Sequence, residues 1–441
     1  MEETLLDRWA RAEKRRIAGM SGQPEFRIEV EITAQVAHEE LLPPPDLAPL
    51  FEETKEASPD RVVRPTVSQL DVSPRVRDWI KLAREIAGEK GIDVRELWVR
   101  VDVRPESKCV TYTTHLSTMV LAYRDPKVVA GRLRLFIRFA AFAKVVDTDQ
   151  ISQFAIVGTK LNYVSGGEAK TLEAVDRVHS DAFTPDAPPL TGYKLVKDLG
   201  LALREASYFT KKKADVMGRH KILVFPRRDS LGTIDVIGCG GTVNEEQAGI
   251  ALIYKREVVA PDLTTDLYLE PMRALSSDQV LPDTVGFTLA GSDFVWLLCD
   301  TGFIVGLESA PSAAPDQADL DRALQAPNGR IEFVDEEIAA LRRAVAQLRI
   351  DPDTMTQKEV LIRPRGQSRY LEFGTQNKLQ SVTCSGDMGP DTISVNPDLL
   401  AHALSVRGVR AIEFDKQDGE RCLLMVGPGV RVALKPLEAV K

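Results

Sequence analysis

The side chains whose types and spacing could do chemistry in this sequence are its cations. Within SPRVRDWIKLAREIAGEKG (73–91), Arg77, Lys81 and Arg84 fall at i, i+4 and i+7, one stripe of a helix. Val76, Trp79, Ile80, Ala83 and Ile86 take the neighbouring and opposite positions. In GRLRLFIRFAAFAK (131–144), Arg134 and Arg138 lie one helical turn apart, with Lys144 close by and no acid. In TGYKLVKDLGLALREASYF (191–209), Lys194, Lys197 and Arg204 oppose Val196, Leu199 and Leu203. DEEIAALRRAVAQLRI (335–350) adds Arg342, Arg343 and Arg349, and Arg407 ends DTISVNPDLLAHALSVRG (391–408). Lys and Arg stripes attract phosphates without reading base sequence, through contacts that are individually weak and screened by salt. One such stripe reads as a solvated helix face. Recurrence on successive helices points to one shared basic surface. The whole chain holds 57 Lys and Arg against 65 Asp and Glu, net −8, so that surface would be local.

Bond-making chemistry leaves no comparable trace. The sequence lacks a GxxxxGK[ST] phosphate loop, a GxSxG elbow, HExxH and a DxDxDG calcium loop. GCGG (238–241) has no following helix with a phosphate-binding lysine and reads as a bulge or turn. HSDAF (179–183) and DTDQ (147–150) offer carboxylates without a matched histidine. Cys109, Cys239, Cys299, Cys384 and Cys422 are far apart and form no CxxC pair, which predicts reduced thiols in a cytosolic compartment and no zinc site. No cofactor is implied. No run approaches the roughly 18 apolar residues of a membrane span. The opening MEETLLDRWARAEKRR lacks a signal-peptide apolar core, so neither membrane nor export is expected.

The elements that must position these cations repeat. A length of 441 residues suggests about three domains. In the last third, RIEFV (330–334) precedes the helix 335–350, with Ile338, Leu341, Val345 and Leu348 inward. The strands KEVLIRP, SRYLEFGT and KLQSVTCSGD follow. Then DTISV leads into a helix capped by Asn396, with Pro397 at its first position and Gly408 beyond its end, followed by RAIEFDKQD, RCLLMVGP and GVRVALKPL. The order is β-α-β-β-β, used twice. Upstream, the helices 73–91, 131–144, 191–209 and DLYLEPMRALSSD (266–278) head similar runs. The closing segments FAIVGTKLNYVSG, FTLAGSDFVWLLC and IEFDKQDGERCLL start at Phe154, Phe287 and Ile412, a near-constant period of 133 and 125 residues. TPDAPPLTG (184–192) and SAPSAAPDQADLDRALQAPNG (309–329) read as linkers. The boundaries are then 56–183, 190–310 and 328–441, after an extension, 1–55, holding FRIEVEITAQV and the proline-rich LLPPPDLAPLFEE.

Tandem β-α-β-β-β pairs with basic helices in an acidic chain, best seen in DEEIAALRRAV, TISVNPDLLAHAL and GVRVALKPL, resemble the bacterial DNA polymerase III beta subunit, the sliding-clamp family. The resemblance covers about residues 60–441. It implies an α+β fold of three clamp domains, each of two βαβββ half-units, with sheets outside and helices inside a ring. It further implies a head-to-tail homodimer around duplex DNA that tethers a polymerase and meets a clamp loader, without catalysis, in the cytoplasm of a bacterium or of a virus's host. The cations named above would face the DNA. Partner peptides would dock in an apolar pocket at Thr242, Val285, Phe287, Leu434, Pro436 and Leu437. DLAPLF (46–51) looks like such a peptide, held in cis or by a neighbour, or else a locally packed linker. The tail EAVK and the segment GCGGTVNEEQ depart from the family pattern, as does the extension. Two other readings stand beside this one: a non-encircling scaffold of the same fold, and an α+β enzyme with its site in 1–55 and 210–250, near Lys211, Lys212, Lys213 and Arg219.

Overall fold

Each repeat begins with a short strand that the hydrophobic pattern half conceals. The computed structural model describes residues 67–435 apart from 105–108, 177, 179–185, 211–219, 228–229, 231, 241–251, 262, 272, 276–279, 291–293, 310–316, 326–328, 350–359, 365–369, 376–377, 388–392 and 415–422. The first half-unit is β1 (Gln69–Asp71), α1 (Arg75–Lys90), β2 (Trp98–Val103), β3 (Cys109–Leu116) and β4 (Met119–Val128). The second is β5 (Leu133–Arg138), α2 (Phe139–Ala143) running into a π turn (Lys144–Thr148), β6 (Gln153–Val157), β7 (Lys160–Ser165) and β8 (Glu168–Glu173). The third is β9 (Lys194–Val196), α3 (Leu199–Phe209), β10 (Ile222–Pro226), β11 (Thr233–Gly240) and β12 (Leu252–Val259). In the fourth, β13 (Leu267–Leu269) and a 3-10 turn (Arg273–Leu275) precede β14 (Val285–Ala290), β15 (Phe294–Leu298) and β16 (Phe303–Glu308). After the connector helix α4 (Gln317–Ala323) come β17 (Gly329–Glu332), α5 (Asp335–Arg349), β18 (Val360–Pro364), β19 (Tyr370–Thr375), β20 (Lys378–Thr383) and the short β21 (Ser385–Asp387). The sixth is β22 (Ile393–Val395), α6 (Pro397–Ser405), β23 (Ala411–Phe414), β24 (Leu423–Gly427) and β25 (Val430–Leu434).

Three of the expected helices are therefore corrected. The runs 131–144, 191–209 and 266–278 each open with the leading strand of a half-unit, and helix follows only afterwards, in the last as a 3-10 turn among the described residues. In LRLFIR the decisive signal is period two. Leu133, Leu135 and Ile137 are buried on one face, while Arg134 and Arg138 leave by the other, which overrides the i, i+4 reading.

The leading strands cross over. β1 pairs with β6 and β5 with β2; β9 pairs with β14 and β13 with β10; β17 pairs with β23 and β22 with β18. Each half-unit thus lends its first strand to the sheet of its sister. The result is four antiparallel sheets, with strand orders β1-β6-β7-β8, β5-β2-β3-β4-β16-β15-β14-β9, β13-β10-β11-β12-β25-β24-β23-β17-β21 and β20-β19-β18-β22. The two long sheets are spliced where β4 meets β16 and β12 meets β25.

All the principal helices pack on one side of these sheets in a continuous core. On α1, Val76, Trp79, Ile80, Ala83 and Ile86 are buried as the spacing requires, and Gly91 stops the helix in a left-handed conformation at φ 67°. Ser73 does not cap it; its N–H donates to Asp125 Oδ2 (3.1 Å) instead. Asn396 does cap α6, accepting from the N–H groups of Asp398 and Leu399 at 2.9 and 3.2 Å. Within GCGG, Gly238, Cys239 and Gly240 lie in β11 rather than in a turn. A Cβ on Gly238 or Gly240 would sit 2.3 Å from the carbonyl oxygens of Ala206 and Phe209, so these glycines let α3 lie directly on the strand.

The opposite faces of the spliced sheets are covered by the connectors. Leu320 of α4 and Leu324 just after it close over Leu223, Ile237, Ile253, Leu424 and Ala433. Tyr193 closes over Val120, Ala122, Trp296, Leu298 and Ile304. Burial of each large apolar side chain contributes about 1.5–3 kcal/mol.

Candidate nucleic-acid interface

The helix layer sorts the expected phosphate-binding cations into three groups. Lys81 on α1, Lys144 at the π turn, Lys197 in the turn before α3 and Arg343 on α5 are exposed. Lys194 is exposed too, but stands on β9. Arg77 and Arg342 are half-buried and donate to main-chain carbonyls. Arg77 reaches Val146 and Gln150 at 3.1 and 3.2 Å, and Arg342 reaches Leu404 and Val406 at 2.7 and 3.4 Å. These bonds fix the guanidinium without cancelling its charge. Arg84 pairs with Asp147 at 2.6 Å, so its charge is offset locally.

The remaining expected contacts are placed elsewhere. Arg134 and Arg138 leave β5 on the face away from the helices. There Arg134 approaches Asp102 (3.4 Å), and Arg138 lies 4.0 Å over the Trp98 ring. Arg204 is buried, bonded to the carbonyl of Leu281 and to Asp283 (2.5 Å), because its place on α3 falls inside the packed surface. Arg407 is exposed yet tethered: its guanidinium contacts Asp283 and its N–H donates to Glu205 Oε1 (2.8 Å).

Of the expected peptide-pocket residues, Val285, Phe287 and Leu434 are described, and all three are buried in the main core. Val285 and Phe287 belong to the main core on β14, and Leu434 is fully buried where β25 pairs with β12 and β24. Thr242, Pro436 and Leu437 lie outside the described residues, as do DLAPLF and Lys211–Arg219. A cavity of about 380 Å³ opens at the other end of the β12/β25 splice, lined in part by Arg227, Lys255, Glu257, Asp321 and Arg431. Its charges are paired, Arg227 with Glu257 at 2.6 Å and Lys255 with Asp235 at 2.9 Å.

On the outer face of the first repeat, Asp186 sits between Arg100 (2.5 Å) and Arg104. Burial pushes this carboxyl up, but the two guanidiniums outweigh that and hold it below its ordinary value of 3.8. Cys239, Cys299 and Cys384 are buried thiols; burial raises Cys299 and pushes Cys384 up to about 11, which disfavours the thiolate. Among the described residues no His, Cys, Asp and Glu cluster could hold a metal, and no helix is long and apolar enough to cross a membrane. Sequence reasoning missed Glu205, Arg256, Glu270 and Asp283, which reach the neighbouring repeat, and Tyr254, which bonds Glu205. No local motif marks them, since their partners stand up to about 200 residues away.

No family model and no curated protein matches the sequence. Solved structures do match. The DNA polymerase III beta subunit of Thermotoga maritima superposes with a TM-score of 0.62 at 11% identity, covering 85% of this chain and 100% of that one. A DNA polymerase III beta chain from Streptococcus pneumoniae gives 0.63 at 12%, with the same coverage. A DNA polymerase sliding clamp from Pseudomonas aeruginosa gives 0.61 at 13%, covering 84% of this chain and 100% of that one. The chain has the sliding-clamp fold. The clamp fold accounts for the antiparallel sheets, the one-sided helix layer and the spliced strands.

Proposed function

We propose that this clamp-fold chain is a DNA sliding clamp, a non-catalytic processivity factor that encircles duplex DNA and tethers a polymerase. One observation carries the reading. Each splice joins the final strand of a first half-unit to the final strand of a second one: β4 to β16 and β12 to β25. Among the described residues, two such three-stranded meanders end without a splice, at β8 in the first repeat and at β20 in the third. A second copy placed head to tail would set β8 against β20 by the rule already used twice within the chain, and two copies would close. Residues 56–183, 190–310 and 328–441 then act as three clamp domains, six in the ring.

Lys81, Lys144, Lys197 and Arg343, with Arg77 and Arg342, are the cations offered to phosphate on the helix side. Sparse, exposed charges suit a protein that must hold DNA and still move along it. Partner peptides of the polymerase and of a clamp loader would dock near the Leu252/Leu434 end of the second splice, where the chain continues toward Pro436 and Leu437.

The test is topological. Loaded onto nicked circular DNA the protein should be retained, and linearising that DNA should release it; equal retention on both forms would sink the encircling reading. The loss of Arg84, Arg204 and Arg407 to ion pairs favours a second reading, a scaffold of clamp fold that does not encircle DNA. It predicts no retention on either form.

A further inference from the structure

A splice between two strands is a line of contact, and neighbouring strands accept twists of roughly −10 to −35°. The β12/β25 splice alone would leave the third repeat free to rock on the second. A second contact on the helix layer limits that freedom. Glu205 of α3 accepts through Oε2 from Tyr254 Oη (2.7 Å), Arg256 Nε (3.1 Å) and Arg256 Nη2 (2.8 Å), and through Oε1 from the N–H of Arg407 (2.8 Å). Arg256 also donates to the Arg407 carbonyl at 2.5 Å, so both polar groups of that residue's backbone are held from the neighbouring repeat. Asp283 binds the Arg407 side chain, and His402 of α6 packs edge-on to Phe209 with ring centres 5.7 Å apart.

We infer that Glu205 is the positioning residue that sets the angle between the second and third repeats, by gripping the backbone of Arg407 while Arg256 holds its charge. Its side chain is 14% exposed and that of Arg256 10%, so the bonds act in a poorly hydrated layer where charge-assisted hydrogen bonds are strong. The first splice has its own carboxylate on the helix layer: Glu270 binds Lys221 and lies 3.9 Å from Lys90 of α1. Each joint therefore has, besides its strand pair, a glutamate on the helix layer.

The test reads the angle directly. Spin labels carried by unnatural amino acids at Val259 and Val334, which are 72% and 63% exposed, report the distance between the two repeats. Glu205→Ala should broaden that distance distribution at least twofold. It should also raise hydrogen exchange at the Arg407 amide at least tenfold, while the amides of β12 and β25 stay protected. Glu205→Gln keeps the size and an acceptor but loses the charge that Arg256 requires; it should show the same changes and serves if the alanine variant unfolds. Unchanged width and unchanged Arg407 exchange in the folded variant would overturn the assignment. Neither readout involves DNA, so its failure is separate from failure of the encircling reading.

Discussion

At the scale of single residues, two cations from one expected set have opposite fates. Lys81 ends in solvent on α1, while Arg204 is buried against Asp283 and the Leu281 carbonyl. Lys81→Ala is expected to leave stability within about 0.5 kcal/mol. If the residue meets phosphate, it should lower the slope of log affinity against log salt by about 1, measured by titration on duplex DNA. Arg204→Ala should instead cost about 1.5–3 kcal/mol in denaturant unfolding, because the buried Leu281 carbonyl loses its charged donor while Asp283 keeps Arg407. A third outcome concerns Asp186. Its folded pKa lies below 3.8, so its ion pairs stabilise fully above about pH 4 and are lost as the pH falls through the folded value. Asp186→Asn should therefore lower the midpoint of thermal unfolding at pH 7 and narrow its gap to wild type on acidification below pH 4.

At the scale of elements, much of the fold was legible because hydrophobic periodicity reports burial. Helices α1, α5 and α6 stand where the spacing of Trp79, Ile80, Leu341, Val345, Leu400 and Leu404 places them. The order β-α-β-β-β was also legible. What the pattern hid were strands of three to six residues that abut a helix, as LRLFIR abuts FAAFA, since a short apolar run fits either period. The candidate site was legible only in part, for a related reason. Spacing tells which side chains share a face, but not whether a distant carboxylate such as Asp147 or Asp283 will neutralise them. GCGG was misread because a glycine pair in a strand looks like a turn until the helix lying on it is known. Gly238→Ala should cost about 1–3 kcal/mol in chemical denaturation by forcing α3 off β11. A comparable loss is not expected at Gly88, whose Cβ would meet nothing within 4 Å.

For the whole molecule, the arrangement of final strands makes an oligomeric prediction. Native mass should be near twice 48.7 kDa. A proline at Lys170 or at Thr171 in β8 removes one ladder donor from alternate edges, and one of the two variants should shift the mass to that of the single chain while the β12/β25 splice stays intact. A stable single chain in the unaltered protein would count against closure.

The crossed leading strands also bear on how the chain is made. β1 waits for β6, β9 for β14 and β17 for β23, so Leu70, Val196 and Ile331 meet Phe154, Val285 and Ile412 only after about 80–90 further residues have been synthesised. β17 of the third repeat can meet β21 after about 55 residues, but at roughly 5–20 residues per second each of the first two repeats spends about 4–18 s on the ribosome with its first strand unpaired. Its earliest apolar residues are exposed throughout that time. Ribosome-bound chains stalled before residue 153 should therefore be protease-sensitive at β1 and recruit holding chaperones, and chains stalled well beyond residue 173 should not.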